Sequence, residues 1–460
     1  MHPIARISLV LLLAGCASQP AYQRPAVELP AAWKETAPRF AEDGRWWRIY
    51  GDSSLDAVID ESLERNGDLL VAAARVDEAR ALLGEAQSFF YPRIDAQGSA
   101  SRQQISTSTA TTPPGVPREF SSYRGTLNLS YELDLFGRLR AGREAARAEL
   151  AASEASRDAV RLALAAQVTR SYFALRSLDE QVLLTRKTVS LREEALALQT
   201  KRLQGGVISE YELRQLEAET AAVRAQLPPL EREREREEAA LAVLLGRTPK
   251  DVFESRVTIK SAYEESPEAP VLPAGLPSEL LLRRPDLVEA ERRLAAANAQ
   301  IAVARAEMFP SISLTAFLGG ESAALSSLFS GPATVWQLAG AVTQPIFAGG
   351  RLRARTAAAE AREGAARAQY QQAIRTAFGE VRTALAAQTR ARESYEAETA
   401  RSNALAATLR LARLRYENGV ASQLDVIDAE RGLLAAQVAR IEALRAHRAA
   451  VADLFRALGG

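Results

Sequence analysis

Cysteine and histidine are almost missing from this chain: one cysteine and two histidines occur in 460 residues. No disulfide can close within the chain, and no Cys/His metal cluster can be assembled. An excess of charge is missing as well. The formal net charge is +1, which gives no electrostatic reason to expect a nucleic acid partner. Nucleophile motifs, metal-ligand spacings and phosphate loops are absent from the sequence. His2 lies among the first residues, and His447 stands alone in a helical pattern. No catalytic residue, metal or cofactor is therefore expected, and the chain is not expected to be an enzyme. Long apolar runs are missing too. A spanning helix needs about 20 apolar residues, and no stretch supplies them. If such a protein crosses a membrane, it must do so as a closed β-barrel, where every backbone group is paired between strands.

What is present begins at the lone cysteine. In "MHPIARISLVLLLAGCASQP", Arg6 supplies a short positive region, Ile7 to Leu13 is apolar apart from Ser8, and small Ala14 and Gly15 precede Cys16. This is the form of a secretory signal over residues 1–15. "LAGC" is similar to the bacterial lipobox, in which the cysteine is lipidated and becomes the new N-terminus. That similarity makes Cys16 the lipidation site and its covalent lipid the one attached group. Ala17 stands where aspartate would retain such a protein at the inner membrane, which implies the outer membrane of a Gram-negative bacterium. Several acyl chains make a stable anchor where one would be marginal.

Alanine, leucine, arginine and glutamate dominate the rest, favouring long helices. After a Pro- and Trp-rich leader at 16–53, residues 54–91 are helical and stop at Pro92. Residues 92–136 carry two alternating segments. A long helical hairpin follows at 137–248, with its tip at 205–209. A Pro-rich linker covers 249–284. The same order then returns: helix at 285–309 up to Pro310, two alternating segments at 310–347, and a second hairpin at 348–458 with its tip at 418–422. "GVISEYELRQLEAE" from Gly206 is echoed by "GVASQLDVIDAE" from Gly419. The offset from Val207 to Val420 is 420 − 207 = 213 residues. "LFGRLRAGREAARAEL" at 135–150 is echoed by "IFAGGRLRARTAAAEA" at 346–361. The chain is a tandem duplication of one large unit.

The alternating segments have a strict period of two. In "YRGTLNLSYELDL", Tyr123, Leu127, Leu129, Tyr131, Leu133 and Leu135 share one face, while Arg124, Thr126, Asn128, Ser130, Glu132 and Asp134 share the other. The segments around 93–102, 311–319 and 334–346 alternate less cleanly. Each has about the 9–11 residues of a tilted transmembrane strand. Four strands cannot close a barrel, for which about eight is the usual minimum, so the chain must associate. Two copies or three satisfy this arithmetic equally. In the first long helix Val168, Leu175, Val182, Val189, Leu196 and Leu203 recur every seven residues, with a second row at Leu184, Leu191 and Leu198. The rows lie about 200° apart around the helix, as in a helix with a neighbour on each side. The second hairpin keeps this pattern only in part. Pro228-Pro229 interrupt the first hairpin alone, so the two should bend differently.

With "SLDAVIDESLERNGDLLVAAARVDEARA" at 54–81, "RRPDLVEAERRLAAANAQIAVARAEMFPSISL" at 283–314 and the duplicated tips, nearly the whole chain resembles the TolC-type outer membrane factors, in their lipoprotein, OprM-like branch. The resemblance implies a mainly α homotrimer. Its twelve-stranded transmembrane β-barrel, four strands per chain, is continued by a long periplasmic α-helical barrel. It implies a passive exit duct for drugs and other small molecules, served by a periplasmic adaptor and an inner membrane transporter of the RND type. The tips Gly205, Gly206, Val207, Ser209, Asn418, Gly419, Val420 and Ser422 are then adaptor contacts. Leu424, Asp425 and Asp428 become rings closing the periplasmic end, and Glu212 and Tyr416 fall at positions that link the closed state. The family more often has aspartate at the Glu212 position. Export of metal ions or of proteins is the alternative cargo. A lipid-tethered periplasmic coiled coil is the alternative of a different class.

Overall fold

The computed structural model describes residues 22–25, 44–106, 118–254 and 283–460. Cys16, the signal segment, most of the leader and most of the 249–284 linker lie outside them. Two compact units are present. One is drawn from Arg75–Glu154 and Glu289–Gln371 with leader residues 22–25, and the other from 44–74, 155–288 and Gln372–Gly460.

The first unit holds the sheet. Strands β1 (Arg93–Gln104), β2 (Glu119–Leu133), β3 (Ser311–Ser322) and β4 (Thr334–Thr343) form an antiparallel meander in chain order. The register keeps the period-two pattern coherent across the sheet. Leu129 faces Ile94 and Ala316, Leu127 faces Leu318, and Leu318 faces Trp336. One face is therefore apolar over all four strands, and Leu127, Leu318, Trp336, Leu338 and Val342 on it are exposed. The other face carries polar contacts. Asn128 Nδ2 donates to Gln97 Oε1 at 3.4 Å, and the Arg124 guanidinium lies 4.7 Å from the centre of the Phe317 ring. An apolar face of this extent turned outward suits lipid rather than water. β4 ends before the alternating segment does, because Pro345 has no N–H to give a ladder. β2 ends at Leu133, where Asp134 leaves the ladder and accepts from Leu139 N and Arg140 N at 3.1 and 2.9 Å. Those bonds cap the next helix.

Helices α1 (Ser53–Arg65) and α2 (Gly67–Ser88) replace the single helix expected over 54–91. The break is chemical. Asn66 turns to the extended region, and its Oδ1 accepts from Asp68 N and Leu69 N, while its Nδ2 donates to Leu244 O at 2.9 Å. The first long helix, α3 (Arg138–Gln204), and its echo α8 (Arg351–Glu417) have 67 residues each, roughly 100 Å of helix. After the first tip come α4 (Glu210–Arg224) and α5 (Leu227–Leu244), then the short α6 (Pro249–Glu254) and α7 (Pro285–Ala306). After the second tip a single helix, α9 (Gln423–Leu458), runs 36 residues unbroken. Pro228 and Pro229 thus sit in the first turn of a new helix, where the missing N–H costs nothing.

The second unit packs on Trp46, Tyr50, Leu55, Ile59, Tyr172, Phe173, Val451 and Phe455. Trp46 stacks on Phe455 at 5.0 Å, and the Tyr50 hydroxyl donates to Arg448 O at 2.6 Å. Asp52 caps α1 from within this core. Its Oδ2 accepts from the Tyr172 hydroxyl and from Arg176 Nη1, both at 2.8 Å. Of the two leucine and valine rows on α3, Val168, Leu175 and Val182 are buried within the chain, whereas Leu191 and Leu198 remain 50% and 58% exposed.

Candidate gate and docking tips

Both tips are built the same way from short-range bonds. At the end of α3, Gly206 takes φ +70°, Gly206 N donates to Leu203 O, and Val207 N donates to Arg202 O, each at 2.9 Å. At the end of α8, Gly419 takes φ +71°, Gly419 N donates to Tyr416 O at 3.0 Å, and Val420 N to Arg415 O at 2.9 Å. This paired 5→2 and 6→1 closure needs a left-handed residue, which is why glycine stands there twice. Three residues later each returning helix opens with a capping box. Ser209 N donates to Glu212 Oε2 at 2.8 Å while Ser209 Oγ accepts from Glu212 N at 3.3 Å. Ser422 and Asp425 repeat this at 2.8 and 3.3 Å. With its ends satisfied locally, each tip presents its valine to solvent. Val207 and Val420 are both 63% exposed. Asn418 Nδ2 donates back to Leu414 O at 2.6 Å, closing the second turn further.

The capping boxes give Glu212 and Asp425 a task separate from the gate roles that the resemblance implies for them. Backbone and hydroxyl donors from Ser422 hold the Asp425 carboxyl below the usual carboxylate range, so it stays ionised. No hydrogen bond joins Glu212 to Tyr416 among the described residues. Tyr416 Oη accepts instead from Arg202 Nη1 at 3.0 Å and Gln199 Nε2 at 3.2 Å, which fastens α8 to α3. Leu424 is 42% exposed on the first turn of α9. Asp428, one turn further, lies 3.8 Å from Arg431.

Arg431 leads to a group of residues that the sequence patterns did not single out. Its Nη2 donates to Glu219 Oε1 at 2.5 Å, and Arg192 Nη1 reaches Glu219 O at 3.0 Å and Oε2 at 3.3 Å. Glu219 on α4 is thus held by α3 from its own hairpin and by α9 from the other. Arg192 is buried in this cluster. The contact joins residues 212 positions apart in the chain, and neither periodicity nor local motif marks such a pair. The one available signal was Arg431 itself, three residues after Asp428 on the same helical face.

Comparison with known proteins gives this geometry a context. The sequence profile described as "Outer membrane efflux protein" matches residues 58–247 and 276–460. The chain is 35% identical over 460 residues to the cation efflux system protein CusC of Escherichia coli O6:H1, covering 98% of this chain and 97% of that one. It is 34% identical to the toluene efflux pump outer membrane protein TtgI of Pseudomonas putida, covering 98% and 96%. The crystal structure of the Campylobacter jejuni CmeC outer membrane channel superposes with a TM-score of 0.88 at 28% identity, covering 96% of this chain and 94% of that one.

Proposed function

Since the chain belongs to the outer membrane efflux protein family, we propose that it is the passive exit duct of a tripartite efflux assembly, working as a homotrimer. The four-stranded sheet with one continuous apolar face carries this reading. Four strands per chain with open outer edges require copies of the chain to close a barrel. Leu191 and Leu198, half-exposed on α3, give that helix a second face for a neighbouring copy. Cys16 holds the covalent lipid, which adds a tether to the barrel's own insertion.

In a trimer Leu424 and Asp428 each recur three times around the axis. Leucine rings close a pore by excluding water, and carboxylate rings favour cations. Asp425, whose carboxyl the Ser422 donors hold below the usual carboxylate range, adds negative charge beside them. The Glu219–Arg431 contact holds the two hairpins together beside these rings, so opening requires that it break or slide. Tyr416 with Arg202 and Gln199 fastens the same region from the α8 side. The six tips, two per copy, receive the hairpins of a periplasmic adaptor. Gly205, Gly206, Val207 and Ser209 form one socket edge and Asn418, Gly419, Val420 and Ser422 the other. The adaptor connects the duct to an inner membrane transporter of the RND type, which supplies the energy.

Drugs and other small molecules are the cargo we favour, with metal ions as the second reading. CusC and TtgI are about equally similar to this chain and are named for cations and for toluene. In this reading cargo is selected by the transporter, and one kind of duct serves either class. Planar bilayer conductance of the purified protein tests the duct and its gate together. Wild type should conduct weakly, and Leu424→Ala/Asp428→Ala should conduct several-fold more. Equal conductance would move the gate elsewhere. No conductance from folded protein of either kind would overturn the duct and favour a tethered coiled coil.

A further inference from the structure

The internal duplication makes one aromatic contact inside the chain and leaves its twin unmade. Phe136, three residues after β2, stacks on Phe309, two residues before β3, with ring centres 5.1 Å apart and planes 11° from parallel. β2 and β3 are neighbours in the sheet. The repeat equates Phe136 with Phe347, which follows β4, and Pro310 with Pro92, so that Phe309 equates with Tyr91, which precedes β1. β4 and β1 are the two outer strands. Within the chain their aromatics do not meet: Phe347 is 92% exposed and Tyr91 is 73% exposed. Every residue of β1 is exposed as well.

The equivalence can be checked where both halves are visible. Carried forward by the repeat, the pairing of Arg93 with Ser130 in β1–β2 puts Ser311 opposite Ala341 in β3–β4. The structure pairs Ser311 with Thr343. The two-residue slip is one pleat repeat, so every side chain keeps its face. Carried around in the same way, the pairing of Tyr131 with Leu314 in β2–β3 puts Val342 opposite Ala96, to within the same two residues. Both belong to the apolar face of their strands.

Closing the proposed barrel brings β4 of one copy beside β1 of the next; at that junction we infer that Phe347 stacks on Tyr91 of the next copy as Phe136 stacks on Phe309 within the chain. The occupant of these exposed rings is a second copy, because the contact they lack is one this fold already makes with its own residues. Every second seam of the barrel, β2–β3 within a chain and β4–β1 between chains, then carries an aromatic clasp at the strand ends that adjoin the helices. In a trimer the clasps alternate, three within chains and three between them. Offset stacking of this kind adds to the burial of ring area when the strands close.

The inference rests on the trimeric reading above, and its test separates the two. Full-length protein carrying Tyr91→Cys and Phe347→Cys, in isolated outer membranes, is treated with a short bifunctional maleimide and run on a denaturing gel. Dimer and trimer bands are expected, and co-expressed single variants should give heterodimers only. Protein that is trimeric by native mass yet yields no cross-linked band would overturn the clasp and leave the trimer intact. Protein that is monomeric by native mass, untreated and wild type, would overturn the trimer itself. Phe347→Ala provides a second measurement: it should lower the temperature at which the trimer dissociates, and Phe347→Tyr should preserve it. Equal dissociation temperatures for wild type and Phe347→Ala overturn the clasp.

Discussion

At the scale of single residues, Asp52 and Arg176 form the buried pair with the most to lose. Both side chains are almost wholly inaccessible. Burial alone would raise the Asp52 carboxyl, but the Tyr172 hydroxyl, the Leu55 and Ser54 backbone N–H groups and Arg176 outweigh it and hold the group below its ordinary range. Removing one partner strands the other charge in the core. Arg176→Ala should therefore cost about 3–5 kcal/mol, read as a lowered melting temperature of the detergent-solubilised protein. The sign of the pH effect follows from the lowered value. Stability contributed by Asp52 is complete above about pH 4 and is lost as pH falls through the lower folded value. Asp52→Asn should be less stable at neutral pH and lose less on acidification, as thermal melts at a series of pH values would register. Ser209→Ala and Ser422→Ala remove one cap each, for about 1 kcal/mol. Hydrogen exchange of the amides just after each tip should quicken. Both serines were legible as caps because a hydroxyl follows each glycine turn. The reciprocal use of Glu212 and Asp425 is legible as well, since each stands three residues after its serine, whereas the gate roles the resemblance implies for them say nothing of their own backbone.

At the scale of elements, two breaks decide how helices are divided. Asn66 ends one helix and caps the next, and Pro228-Pro229 open α5. The proline pair was visible in the sequence. The asparagine was not, because the hydrophobic pattern of 54–91 continues across it and the bond that fixes its side chain goes to Leu244, far along the chain. Gly246 shows the same limit. At φ +68° its absent Cβ would lie 2.2 Å from Arg65 O, so Gly246→Ala combines a left-handed strain with a backbone clash. It should destabilise by more than about 1 kcal/mol, and reduced yield of folded protein would report it. The alternation of β2 fixed its face and nearly its ends, whereas pairing order and register needed the structure. The Glu219–Arg431 contact between α4 and α9 joins residues 212 positions apart, and only the Arg431 end of it has a local signal in the sequence. Glu219→Ala and Arg431→Ala should each raise bilayer conductance, and the double variant should add little to either. Independent, additive increases would show that the two residues do not act as one latch.

At the scale of the whole molecule, the proposed duct has two separate attachments to the membrane, a lipid on Cys16 and the sheet. Cys16→Ser should abolish incorporation of labelled palmitate, yet the protein should stay in the outer membrane fraction after a carbonate wash, because the sheet inserts without the lipid. Loss to the soluble fraction would mean that the lipid is the sole attachment. The two outer strands have a further consequence, in time rather than in space. A single chain carries unpaired edges at β1 and β4 and an apolar face with nothing on it, a state prone to pairing with any passing strand. Its lifetime is set by encounters with sister chains, so the rate of barrel closure rises steeply with the number of chains in the periplasm. Low expression should thus yield proportionally fewer channels and more proteolysed chain, and an excess of a subunit defective at one edge should poison assembly of the normal ones.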